Sequence, residues 1–89
     1  MMIIGHVIGS VWATRKDERL NGLKLLVVKP KYSEGLDSSF VAADLASAGV
    51  GDDVLVTKGS SARTAFGKER IPIDSVIVGV IDSIDITDE

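Results

Sequence analysis

The chain of 89 residues predicts one all-β domain: a small closed or partly open barrel of five strands with one short helix. Three observations carry that expectation. The length suffices for one domain, residues 1–89, and not for two. Val and Ile supply 20 residues while aromatics make up only 4%, and branched aliphatics suit a pleated, half-buried surface. Turn signals recur at short intervals, at Asn21-Gly22, Pro30, Gly51-Asp52 and Pro72-Ile73-Asp74. Five short strands laid flat would leave exposed edges, and closure removes them.

Each element follows in order. The first strand is expected over Met2–Thr14, with Gly5 and Gly9 marking bulges or a close backbone approach. Arg15–Arg19 is a charged turn, and Asn21-Gly22 is a hairpin-type signal. Strand two is expected over Leu23–Lys29, stopped by Pro30, with Pro30–Ser39 as a surface loop. Phe40–Asp44 is a short third strand and Asp53–Lys58 the fourth. A serine before Ala62-Arg63-Thr64-Ala65-Phe66 caps one or two helical turns, which Gly67 ends. The last strand is expected over Ser75–Ile86.

The strands share an anomaly. A strand with one wet face alternates apolar and polar residues. Leu25-Leu26-Val27-Val28 and Val76-Ile77-Val78-Gly79-Val80-Ile81 do not alternate. One face fills a barrel, and no second layer is available within so short a chain to cover the other. The simplest cover is another subunit, with Leu25, Leu26, Val27, Val28, Val78 and Val80 as interface candidates; the alternative cover is the 30–39 loop.

Composition removes several function classes. The chain has no cysteine and one histidine, His6, which excludes disulfides, thiolate chemistry and a multi-histidine metal site within one subunit. A net charge of -3 argues against gripping nucleic acid. No apolar run reaches the length of a membrane span, and Met1–Ile4 lacks the positive flank of a signal peptide, so a cytoplasmic location and no membrane partner are expected. No cofactor is expected.

Gly59-Ser60-Ser61-Ala62-Arg63 is the most pointed local sequence. It lacks the Lys-Ser/Thr of a phosphate-binding loop and the glycine of a nucleophile elbow. It reads as a turn with a serine cap and a structural arginine, or as a loop presented at an assembly axis. His6 reads as a structural or surface residue, and Asp82, Asp85, Asp88 and Glu89 as a solvated acidic face. Arg15, Lys16 and Arg19 are candidates for contact with a partner. An enzyme is the poorest reading, because no nucleophile–base arrangement is visible.

The chain resembles the EutN/CcmL family of bacterial microcompartment shell vertex proteins. The matching stretches are Gly9-Ser10-Val11, Ala13-Thr14-Arg15-Lys16-Asp17, Leu20-Asn21-Gly22-Leu23-Lys24-Leu25-Leu26, Val41-Ala42-Ala43-Asp44, Ala48-Gly49-Val50-Gly51-Asp52, Val54-Leu55-Val56, Gly59-Ser60-Ser61-Ala62-Arg63, Pro72-Ile73-Asp74 and Val78-Gly79-Val80-Ile81-Asp82. Their order and spacing, more than any single piece, are specific. The resemblance implies an OB-like barrel, a cyclic pentamer that caps the vertices of a shell built with hexameric shell proteins, and no catalysis. Gly59, Ser60 and Ser61 would then approach the axis. Arg63 would turn away and pair with Asp44 or Asp74, since five unpaired guanidiniums around a narrow axis repel one another. The chain departs from the family at Ser47, where Gly is frequent, and in a short loop after strand two. An OB-like binding module for an oligonucleotide or small ligand is the alternative.

Overall fold

The structure, a computed structural model, describes residues 1–14, 16–32, 38–65 and 72–87, with the side chains of Ser61 and Arg63 outside that description. Five strands are present: β1 (Met2–Val11), β2 (Leu25–Lys31), β3 (Phe40–Asp44), β4 (Asp53–Lys58) and β5 (Ser75–Val80), with α1 (Ser60–Ala65) between the last two. They close into a barrel in the order β1-β2-β3-β5-β4. All neighbours are antiparallel except β3 and β5, which run parallel.

Strands β3 and β4 keep their expected bounds; three other expectations shift. β1 stops at Val11 rather than Thr14, and β5 at Val80 rather than Ile86. The charged turn contains a 3-10 turn, Glu18–Leu20, whose start is capped by Asp17 accepting from the Arg19 N–H. β2 starts at Leu25 rather than Leu23, and Pro30 does not end it: Pro30 pairs opposite Gly5, and the strand runs on to Lys31. Pro lacks a backbone donor but still offers its carbonyl. The helix begins at Ser60, and its expected end at Phe66-Gly67 lies outside the described residues.

The interior is filled by one residue in two. Ile3 and Val7 of β1, Leu26 and Val28 of β2, Ala42 of β3, Val54 and Val56 of β4, and Ile77 of β5 form one buried cluster. Cross-strand pairs place them in layers: Leu26 lies opposite Ala42, and Val56 opposite Ile77. Small Ala42 faces large Leu26, which lets side chains from opposite walls interlock. At Gly5 a Cβ would overlap Cγ1 of fully buried Val28, so glycine is what lets β1 approach β2 there. Two bulges, at Val7/Gly9 against β2 and at Leu55/Val56 against β5, bend the wall and leave Ile8 and Val78 turned out.

One end of the barrel is sealed by the segment 44–52. The Asp44 carboxylate accepts from the N–H groups of Ala46 and Ala48, both at 2.9 Å, and Lys24 approaches it at 3.7 Å. Asp52 accepts from Gly49 N–H at 2.8 Å. These bonds fold the segment so that Ala48 enters the core. The turn needs a left-handed residue, and Ser47 takes it at φ 57°. That explains physically why glycine suits this position.

Candidate functional site

The expected axial loop is built from a glycine turn and a short helix. Gly59 has φ 79°, its N–H donates to the Asp74 carbonyl at 2.8 Å, and its carbonyl accepts from Ala62 N–H at 3.1 Å. Ser60 opens α1 and is exposed, and its carbonyl accepts from Thr64 Oγ1 at 3.2 Å. Ala62 is fully buried. The helix therefore lies on the outside of β4 and β5, with buried Ala62 as a contact among the described side chains. The side chains of Ser61 and Arg63 lie outside the described residues. Asp74 is exposed and tied by its backbone to Gly59, whereas the Asp44 side chain is only 2% exposed and already holds two backbone donors.

The interface candidates divide by strand parity. Leu26 and Val28 face the barrel interior and are fully buried within their own subunit, which removes them from any interface. Period-2 alternation requires that when Leu26 and Val28 point in, Leu25 and Val27 point out. Leu25 and Val27 lie half-buried on the outer face, opposite Ala43 and Val41. Val41 is 47% exposed and the bulged Val78 is exposed as well, whereas Val80 lies opposite core Val54 and so turns to the inner side at the end of the barrel. The outer wall of β2 and β3 is thus apolar and only partly covered within one chain: Leu20 and residues 72–74 flank Leu25 and buried Ala43, while Val41 stays exposed.

Beyond the ladder of β1 and β2 the chain widens into a groove of ≈ 560 Å³ walled by Val11, Trp12, Ala13, Leu23 and Lys24. Trp12 is 95% exposed. Of the charged turn beside it, Lys16 and Arg19 are exposed, and Arg15 lies outside the described residues. Arg19 grips Asp17 through two nitrogens, at 2.9 and 2.6 Å, and this fork holds the Asp17 carboxyl well below the usual range. Arg19 is thereby pinned along the surface.

Sequence reasoning did not find one cluster. His6 Nδ1 lies 2.7 Å from Asp53 Oδ1, and Lys31 Nζ lies 3.2 Å from both Asp53 oxygens. A carboxylate only accepts, so the imidazole donates. These bonds, His6 first and Lys31 second, lower the Asp53 pKa. The residues come from β1, β2 and β4, which the barrel register lays side by side: His6 pairs with Asp53, and Ile4 with Lys31. Nothing local in the sequence links positions separated by 47 and 22 residues. Among the described residues, no three His, Asp or Glu side chains converge as a metal site would require.

A closed five-stranded barrel with exposed apolar side chains on its outer wall defines a class of small assembly subunit. The comparisons supply the family. The family described as ethanolamine utilisation protein EutN/carboxysome matches residues 2–82, and the chain belongs to it. It is 44% identical to the bacterial microcompartment shell vertex protein GrpN of Rhodospirillum rubrum, covering 94% of this chain and 97% of GrpN. It is 43% identical to the carboxysome shell vertex protein CcmL of Nostoc sp., covering 98% and 89%. The solved pentameric microcompartment shell protein GrpN from Rhodospirillum rubrum superposes with TM-score 0.81 at 40% identity, covering 96% of this chain and 99% of that one.

Proposed function

We propose that this chain is a structural subunit of a bacterial microcompartment shell, assembling into a pentamer that caps a vertex of the shell in the cytoplasm. The observation that carries the reading is the outer face of Leu25, Val27, Val41 and Val78, apolar and only partly covered on a barrel that is already closed. The barrel is closed, β3 and β5 through two pairs only, and the apolar side chains outside it are the surface left for further association. In a ring each contact is heterologous, joining two different patches of one subunit. The relatives' roles as shell vertex proteins and the pentameric state of GrpN support the same reading. The role is geometric: a five-sided unit among hexameric shell proteins introduces the curvature that a flat layer lacks. It requires no cofactor and no catalysis.

Within the ring, Gly59, Ser60 and Ser61 border the axis. Arg63 points away from it and pairs with Asp74 rather than Asp44, whose carboxylate is already engaged. The charged turn with Arg15, Lys16 and Arg19 meets the neighbouring shell protein, since a rim that joins a different partner is polar. No observation favours the OB-like binding module. Native mass spectrometry of the purified chain tests the reading: a single closed oligomer of five subunits is expected, and a stable monomer at micromolar concentration overturns it. Deleting the gene should leave shell protein expressed while shells appear elongated or open in electron micrographs. Normal closure, with no second homologue present, would refute the vertex role.

A further inference from the structure

The C-terminal segment has the pattern of a strand and no sheet to join. Ser83-Ile84-Asp85-Ile86-Thr87 alternates polar and apolar residues with β-branched side chains. Yet β5 ends at Val80, and the last backbone bond is Ile81 N–H to the Asp53 carbonyl. Among the described residues none bonds to the backbone of 82–87, and Ile86 is 61% exposed. Ile84 is half-buried within its own chain while Ile86 stands in water, so the alternating segment is only partly covered.

At the same end of the barrel lies the groove of Val11, Trp12, Ala13 and Leu23. β1 and β5 both run antiparallel to β4, so the exit of β1 into Trp12 and the exit of β5 into the tail share that end. They do not share a side, because β4 stands between them. The charges are complementary. Residues 82–89 carry Asp82, Asp85, Asp88 and Glu89 with no cation, whereas 12–24 carries Arg15, Lys16, Arg19 and Lys24 against Asp17 and Glu18. The tail holds more negative charge than the chain's net -3, so the remainder of the molecule is slightly positive.

We infer that the C-terminal segment 82–87 of one subunit seats in the Trp12 groove of a second copy of this chain, with Ile84 and Ile86 against the indole and Asp82 and Asp85 toward Lys16. Side chains two apart in an extended segment share a face about 6.6 Å apart, a spacing that lets both isoleucines meet one apolar floor. Six extended residues reach about 20 Å, enough to leave one barrel and meet the next. The inference rests on the ring reading. It adds a strap that links neighbours and explains why the groove's tryptophan stands in water in one chain.

Trp12 is the only tryptophan, so its emission reports the groove directly. In the wild-type ring Trp12 should emit toward the blue and resist acrylamide. Removing residues 82–89 should shift the emission to the red and raise quenching severalfold, with far-UV circular dichroism unchanged. If the shortened chain fails to fold, the full-length double variant Ile84→Ser with Ile86→Ser carries the same expectation. Mixing then separates copies: shortened subunits bearing Trp12 are co-refolded with full-length Trp12→Phe subunits. Restored protection of Trp12 in mixed rings shows the tail acting between copies. A closed wild-type ring whose Trp12 ignores tail removal, or mixed rings without restored protection, overturns the strap and leaves the ring intact. A wild-type monomer by native mass spectrometry overturns the ring reading itself.

Discussion

The barrel has two outer walls, and they differ. Over β4 and β5 the short helix α1 lies on the sheet, and Val76 and Ala62 are fully buried there although both stand outside the barrel. Over β1 and β2 no α-helix among the described residues lies on the sheet: Ile8 is 49% exposed and Val41, on neighbouring β3, 47%. The residue types are the same on both sides. A six-residue helix suffices to convert one wall into a second small core, while the other keeps exposed apolar side chains, the face proposed above for a neighbouring subunit. Apolar composition therefore does not distinguish a wall that stabilises the fold from one that supports assembly. What lies over it does.

The strongest way to sharpen that contrast is to compare adjacent residues of β2. Leu26→Ala empties the interior and should cost about 2–5 kcal/mol of subunit stability, read by chemical denaturation. Val27→Asp, one residue on, should leave the barrel's circular dichroism intact and dissociate the ring in native mass spectrometry. Equal loss of fold in both variants would show that the outer wall is also needed within the subunit.

A somewhat smaller effect is expected where the interior is sealed. Asp44→Ala leaves the Ala46 and Ala48 N–H groups without their acceptor at the closed end of the barrel, a loss of about 1–3 kcal/mol. Amide exchange at Ala48 should accelerate together with that of the core strands. Exchange confined to residues 44–48 would mean the seal opens independently of the barrel.

Ser47→Gly probes the same turn in the opposite direction. It relieves a left-handed serine but increases the entropy of the unfolded chain, so thermal melting should change by about 1 kcal/mol or less, toward stability. Marked destabilisation would point to a contact made by the Ser47 side chain.

The smallest effect belongs to the outer polar cluster. Because its folded pKa is depressed, Asp53 stabilises the protein above the unfolded carboxylate pKa and loses that contribution as pH falls through the folded value. Asp53→Asn should therefore melt below the wild type at pH 7, and the two curves should converge as the pH drops below about 4. The cluster is half-exposed, so the gap at neutral pH should be modest. A gap that persists undiminished in acid would show that the aspartate acts by shape rather than charge.

Much of this was legible in order of residues. The strands Phe40–Asp44 and Asp53–Lys58 coincide with their expected bounds, because turn chemistry on both sides is local. The two-faced run 25–28 correctly signals a face outside the barrel, but its parity does not say which face. Leu26 and Val28 entered the interface candidates for that reason, and register against Ala42 and Phe40 removes them.

Three things belong to the amino-acid sequence alone: a β-rich composition, the absence of cysteine, and a high share of apolar residues for its length. Composition and short-range spacing set them, and they hold however the strands are arranged. The tertiary structure decided the rest. It carried Pro30 into a strand opposite Gly5, ended β5 at Val80 despite the alternating residues beyond, and joined His6, Lys31 and Asp53 into one cluster. Each depends on which strands become neighbours when the barrel closes. Ladder bonds and side-chain partners then come from residues tens of positions away, and no local pattern encodes them.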